Sequence, residues 1–168
     1  MGGLPEIGPD DYRDLGTAYH DAIFYTITEK LASDQSGRKA VIVFSDGEDN
    51  SSAHDVTDVI ESAQTGNVVV YNIRYTETRH GRLTARNKYG IRVMERISRD
   101  TGGAHIDASK EDLSRAFHHI SDELRSSYEL AYHSNNRPSP GRFHNVVVRC
   151  SRPGVVVRAK TGYVDAEE

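Results

Sequence analysis

A chain of 168 residues, 36% hydrophobic and 27% charged, is long enough to bury one domain core and is not of disordered composition. Its net charge of −4 gives no general attraction to nucleic acid or an anionic membrane surface, and no apolar run approaches the roughly 20 residues that span a bilayer. The one cysteine, Cys150, excludes an internal disulfide and reads as a small apolar residue in a strand.

Residues 1–11 read as a loose lead-in rich in Gly and Pro. This start is acidic and lacks an apolar segment, so it does not read as a signal peptide, and the chain as it stands reads as cytoplasmic. From 17 to 32, Ala18, Ala22, Ile23, Ile27 and Leu31 recur at helical spacing, with Thr17 a suitable N-cap. Residues 39–44 form a continuous, β-branched apolar run that suits a strand buried on both faces. A helix is expected over 55–65, a strand over 68–75, and a long polar loop over 76–89. A helix follows over 91–99, stopped by Gly102-Gly103, and then a short strand over 104–107.

Residues 109–127 give the clearest helical period, with Leu113, Phe117, Ile120 and Leu124 as the stripe, Ser109 as cap and Asp112 as its capping partner. Beyond it, 128–134, 143–151 and 155–163 read as strands, the last two joined by a turn at Pro153-Gly154. Alternating strands and helices over 1–127 predict an α/β fold, a partial doubly wound, Rossmann-like and mostly parallel sheet. Residues 128–168 are expected to form an antiparallel β extension packed on the same domain.

In an open parallel sheet, ligands bind at the carboxyl ends of strands. FSDGEDNSS, residues 44–52, begins at the end of the 39–44 strand and carries Asp46, Glu48 and Asp49. A calcium loop of EF-hand type fails on the position of its glycine. A magnesium phosphohydrolase of haloacid dehalogenase type would need an upstream strand ending in Asp-x-Asp, and none is present in the sequence. Residues 74–99 are locally basic, with Arg74, Arg82, Arg86, Arg92, Arg96 and others beside Tyr75 and Tyr89, and read as a solvated loop and helix face. His118-His119 are adjacent on a helix and point apart, so they do not chelate one ion.

Several stretches, in order, resemble one family. GTAYHDAI (16–23), RKAVIVFSDGEDN (38–50), TGG (101–103), ISDELRSSY (120–128) and the closing Pro153-Gly154 to Gly162-Tyr163 are similar to a von Willebrand factor A domain. Within it they resemble the bacterial, acidobacterial-type VWFA-related family. The resemblance implies a non-enzymatic, adhesion-type protein-binding domain with a metal-ion-dependent adhesion site. There three loops meet above the sheet, and an acidic group on the partner fills an open position on the ion. By position Thr17 is the second-loop threonine and Asp46 the third-loop aspartate. The first-loop Asp-x-Ser-x-Ser is not in the sequence, so the expected site is a remnant in a domain truncated at its first strands. Magnesium, or manganese or calcium, is then expected to bind weakly or not at all. The same reading leaves the edge of the 39–44 strand open for self-association. Relatives of this family are commonly exported. The alternatives are the phosphohydrolase and a structural fragment with no ligand.

Overall fold

The computed structural model describes residues 16–34, 37–75, 82–110, 112–135 and 139–165. The expected lead-in over 1–11 and the early part of the 76–89 loop lie outside them. The elements in chain order are α1 (Tyr19–Tyr25), continued by a π-helical stretch (Thr26–Leu31), β1 (Lys39–Ser45), α2 (Val56–Thr65) and β2 (Val68–Arg74). Then come α3 (Ala85–Thr101), β3 (His105–Asp107), α4 (Leu113–Arg125), β4 (Phe143–Asn145) and β5 (Gly162–Val164). No helix among the described residues is long and apolar enough to cross a membrane.

β1, β2 and β3 form a parallel sheet in that order, with Lys39 beside Val68, Ser45 beside Arg74, and Arg74 beside Asp107. Parallel neighbours need a crossover, and α2 and α3 supply it. Side chains alternate across a strand, so the sheet has two different faces. On one face Val68 and Val70 meet Tyr19, Ile23, Ile27, Val59, Ala63, Met94 and Ile97 from α1, its π-helical continuation, α2 and α3. On the other, Tyr71 and Ile73 are covered by Ala116 and Ile120 of α4. Each fully buried aliphatic or aromatic side chain contributes roughly 1.5–3 kcal/mol, so these two clusters hold the sheet between its helices.

Several expectations are corrected. β1 is not buried on both faces: Ile42 and Phe44 are 42% and 54% exposed, because α4 covers β2 and stops short of β1. β2 is the strand with both faces buried. α3 starts at Ala85, well before 91, because Thr84 and Asn87 form a reciprocal capping box that satisfies the first amides of a polar first turn. Its end is as expected, with Gly102 left-handed (φ 88°) and its N–H returning to Arg99. α4 starts at Leu113, capped by Asp112, whose carboxylate accepts from the Ser114 N–H. Ser109 instead bonds the Asp107 carboxylate. Half of the α4 stripe, Leu113 and Phe117, is exposed.

The C-terminal strands are shorter than their sequence suggests. β4 and β5 pair antiparallel over three residues each, Phe143 with Val164 and Asn145 with Gly162. Residues 128–134 are not a strand; Tyr128 is 92% exposed, and no ladder among the described residues lies beside it. β-propensity needs a neighbouring strand to pair with, and among the described residues none pairs with this segment. Cys150 is exposed and outside any strand. The extension is tied to the rest of the chain near its end: Thr161 N–H donates to the Asp100 carbonyl (3.1 Å), and Lys160 Nζ reaches Asn67 Oδ1 (2.6 Å).

Candidate functional site

The 46–55 loop leaves the carboxyl end of β1 and meets the start of α1. Asn50 joins the two segments in both directions: Thr17 N–H donates to Asn50 Oδ1 (2.7 Å), and Asn50 N–H donates to the Thr17 carbonyl (3.0 Å). The structure thus brings together the segments carrying the two residues singled out in the sequence, Thr17 and Asp46.

The other acids of the loop are occupied. Asp49 accepts from the His20 N–H (2.8 Å), from Ser52 Oγ (2.5 Å) and from the Ser52 N–H (3.2 Å), with the His20 ring 3.2 Å away. It satisfies one of the orphan amides at the start of α1, which has no capping side chain at its own N-cap. Glu48 Oε1 accepts from Asn87 Nδ2 (3.1 Å) on α3. Asp21 reaches back from α1 and accepts from the N–H groups of Ala53 and His54, both at 3.0 Å, and from the His54 ring at 2.7 Å. That ring stacks on Phe24 at 3.8 Å. Gly47 sits at φ 77°, and a Cβ there would fall 2.7 Å from the Gly90 carbonyl, so loop and α3 touch backbone to backbone. Beneath them Tyr19 OH donates to Asn72 Oδ1 (2.7 Å), whose amide in turn donates to the Met94 carbonyl and Ser98 Oγ. Burial pushes the Tyr19 phenol pKa well up, so it stays neutral.

What is left free is small. Asp46 Oδ1 accepts from the Glu48 N–H (3.0 Å). Among the described residues Asp46 Oδ2 and the Thr17 hydroxyl have no partner, and no cluster of three His, Cys, Asp or Glu could hold a metal ion. One free carboxylate oxygen and one hydroxyl would leave most of a magnesium ion's shell to water, so the described residues do not by themselves make a firm metal site. The clamp formed by Asp49, Asp21 and Asn50 was missed in the sequence, because its contacts cross 29 to 33 residues. Asp49-x-x-Ser52, with the spacing of a local side-chain turn, was the one available signal.

Both clamp carboxylates titrate low. Hydrogen bonds from the Ala53 and His54 amides, and then the His54 ring, bring Asp21 down to about 2. Burial alone would raise Asp49, but bonds from Ser52 and from the His20 N–H outweigh it and hold it below the ordinary range. The folded state therefore binds fewer protons than the unfolded one as pH falls below about 4. The stability these groups give is complete above that pH and drains away toward pH 2. Thermal melts at intervals from pH 6 to pH 2 are expected to show a falling midpoint. In Asp21→Asn the midpoint starts lower at pH 6 and falls less steeply; an unchanged slope contradicts the clamp.

Elsewhere, a polar cleft between β3 and α4 is lined by His105, Asp107, Arg115, Glu123 and Arg158. It lies on the α4 side of the sheet, and its acids are used internally, by Arg74 and Ser109 on Asp107 and by Arg158 on Glu123. Arg74, counted in the sequence with a solvated basic stretch, is buried, and Tyr75 stacks on Phe44.

Neither a curated protein nor a solved structure matches the chain. A family model, the von Willebrand factor type A domain, matches residues 6–123. With that match over most of its length and a parallel α/β sheet to go with it, the chain belongs to the von Willebrand factor type A domain family.

Proposed function

We propose that the chain is a protein-binding module without catalytic chemistry, and that its recognition face is the loop cluster formed by residues 16–18 and 46–52. Domains of this family generally serve protein interaction and adhesion. The observation that supports this face is the two-way Asn50 bond, which fixes the Thr17 segment against the Asp46 loop and leaves one oxygen of each side chain unpaired. Rigid loops with free polar atoms suit recognition, because little ordering is needed on binding. In the finer form of the proposal the partner offers an acidic group, and a divalent ion, magnesium or manganese or calcium, binds weakly at Thr17 and Asp46.

A second contact surface is proposed at the open edge of β1, residues 39–45, for self-association. Among the described residues β1 pairs on one side only, and its Ile42 and Phe44 are exposed. Such an edge invites another strand.

The test is a titration followed at the backbone amides of residues 16–18 and 46–52. A short glutamate-containing peptide is added with and without magnesium, to wild type and to Asp46→Ala. A phosphomonoester incubated in the same samples covers the phosphohydrolase alternative: magnesium-dependent turnover that disappears in Asp46→Ala overturns the binding-module reading.

A further inference from the structure

We infer that the exposed face of α3 is a docking surface for an acidic segment of a partner protein, one that carries a carboxylate on every second residue. The inference rests on the binding-module reading and adds a contact that needs no metal ion.

The structure sorts the basic stretch of the sequence into two parts. Arg74 is buried in its pair with Asp107. The cations of α3 go the other way. The helix buries Val93, Met94 and Ile97 in the core and sets Gly90 against Gly47 of the loop. At 3.6 residues per turn the opposite side carries Lys88, Arg92, Arg96 and Arg99, spaced i, i+4, i+8 and i+11, with Tyr89 beside Arg92. All five are exposed, Tyr89 by 64%.

Few carboxylates of the chain answer these charges. Arg96 and Arg99 share one, Asp100, at 3.7 and 2.9 Å. Glu95, the other acid of α3, lies 3.9 Å from His105 Nδ1. Among the described residues Lys88 and Arg92 have no partner. A chain of net charge −4 thus places five cationic and only two acidic side chains on this one helix. One exposed ion pair gives little, so the stripe favours a partner that meets several cations at once. Lys88, Arg92 and Arg96 stand about 6 Å apart along the helix axis, close to the spacing of alternate side chains on an extended chain. Tyr89, on the same face, supplies an aromatic anchor of the kind that dominates protein interfaces.

The surroundings select the class of partner. Asp46, Glu48 and Asp49 stand in the loop that touches α3 at Gly90, and Glu48 lies 3.7 Å from Arg86. A nucleic-acid backbone or an anionic bilayer, charged over its whole extent, would run against these acids. A short acidic segment fits along the stripe beside them.

The test follows the backbone amides of the full chain while a short peptide of alternating Glu and Ser is added without metal ion. Shifts over residues 85–99 are expected, with an affinity that falls about tenfold or more when salt is raised to about 0.5 M. The same peptide with Gln in place of Glu gives none. Lys88→Glu with Arg92→Glu changes two exposed side chains, keeps the fold by circular dichroism, and weakens binding about tenfold or more. Asp46→Ala binds this peptide at α3 as the wild type does. A peptide with a single glutamate gives no shift on α3, because one exposed pair does not hold it. Binding that survives the double charge reversal, or equal binding of the Gln peptide, overturns the inference. So does tighter binding of a single-stranded oligonucleotide, or of vesicles containing anionic lipid, at the same residues. Shifts confined to 16–18 and 46–52 overturn the α3 surface and leave the loop face standing. Shifts on α3 while those loops stay silent support the α3 surface and count against the loop face.

Discussion

Replacing Arg74 by alanine is expected to cost about 3–5 kcal/mol, because it removes the buried guanidinium paired with a largely buried carboxylate. Arg74 ends β2 and is 7% exposed; it pairs with Asp107, its register neighbour at the end of β3. Asp107 also accepts from Ser109 Oγ (2.6 Å) and the Ser109 N–H (3.1 Å). Burial alone would raise its pKa, but the Ser109 bonds and the guanidinium hold it down. The pair thus pins the carboxyl ends of β2 and β3 together at the point where the sheet is shortest. Urea unfolding of Arg74→Ala, Asp107→Asn and the double variant measures the coupling. The double variant is expected to lose much less than the sum of the singles. A loss below about 1 kcal/mol in Arg74→Ala is what a solvated surface pair gives, and it contradicts this account.

Asn72→Ala is expected to cost about 3–4 kcal/mol, from two buried hydroxyls left without their partner and the space left behind. Asn72 is fully buried in the middle of β2, and its amide bonds three residues on two helices: Tyr19 of α1, and Met94 and Ser98 of α3. No apolar residue can serve all three. Tyr19→Phe, which removes one hydroxyl and leaves the packing, is expected to cost about 1–2 kcal/mol. The two changes share a network, so their effects fall short of additivity when combined. Tyr19 lies two residues beyond Thr17, so the same amide that holds the core fixes where α1 begins and where the recognition face stands. Amide exchange at residues 16–20 is expected to speed up in Asn72→Ala; unchanged exchange there would mean that the loop clamp alone positions the segment.

Much of the fold was legible because its apolar pattern is strong. The 39–44 and 68–75 runs, and the helical stripes of 17–32 and 55–65, are dense enough in β-branched or periodic residues to decide the element. The start of α3 is hidden because its first residues, Ala85 to Gly90, offer only Ala85 and Tyr89 as apolar positions among Arg86, Asn87 and Lys88, and only the Thr84–Asn87 box marks it. The C-terminal strands were overread because alternation in Tyr128, Leu130 and Tyr132 says nothing about whether a partner strand is present. The burial of β1 was overread for a related reason: an apolar run does not reveal which of its neighbours is there. At the candidate site, Asp46 is marked by its place just past the 39–44 strand, and Thr17 as the second-loop residue only by family resemblance. The residues that shape it, Asp49, Asp21, Asn50 and Asn72, act through contacts between segments far apart in sequence, which no local pattern displays.

The central claim is that the 16–18 and 46–52 loops form a recognition face, and the peptide titration at their amides tests it most directly. The account predicts amide shifts confined to residues 16–18 and 46–52, saturating with the glutamate-containing peptide, larger with magnesium, and absent in Asp46→Ala. Shifts that fall elsewhere on the sheet, or none at any peptide concentration with or without magnesium, contradict it.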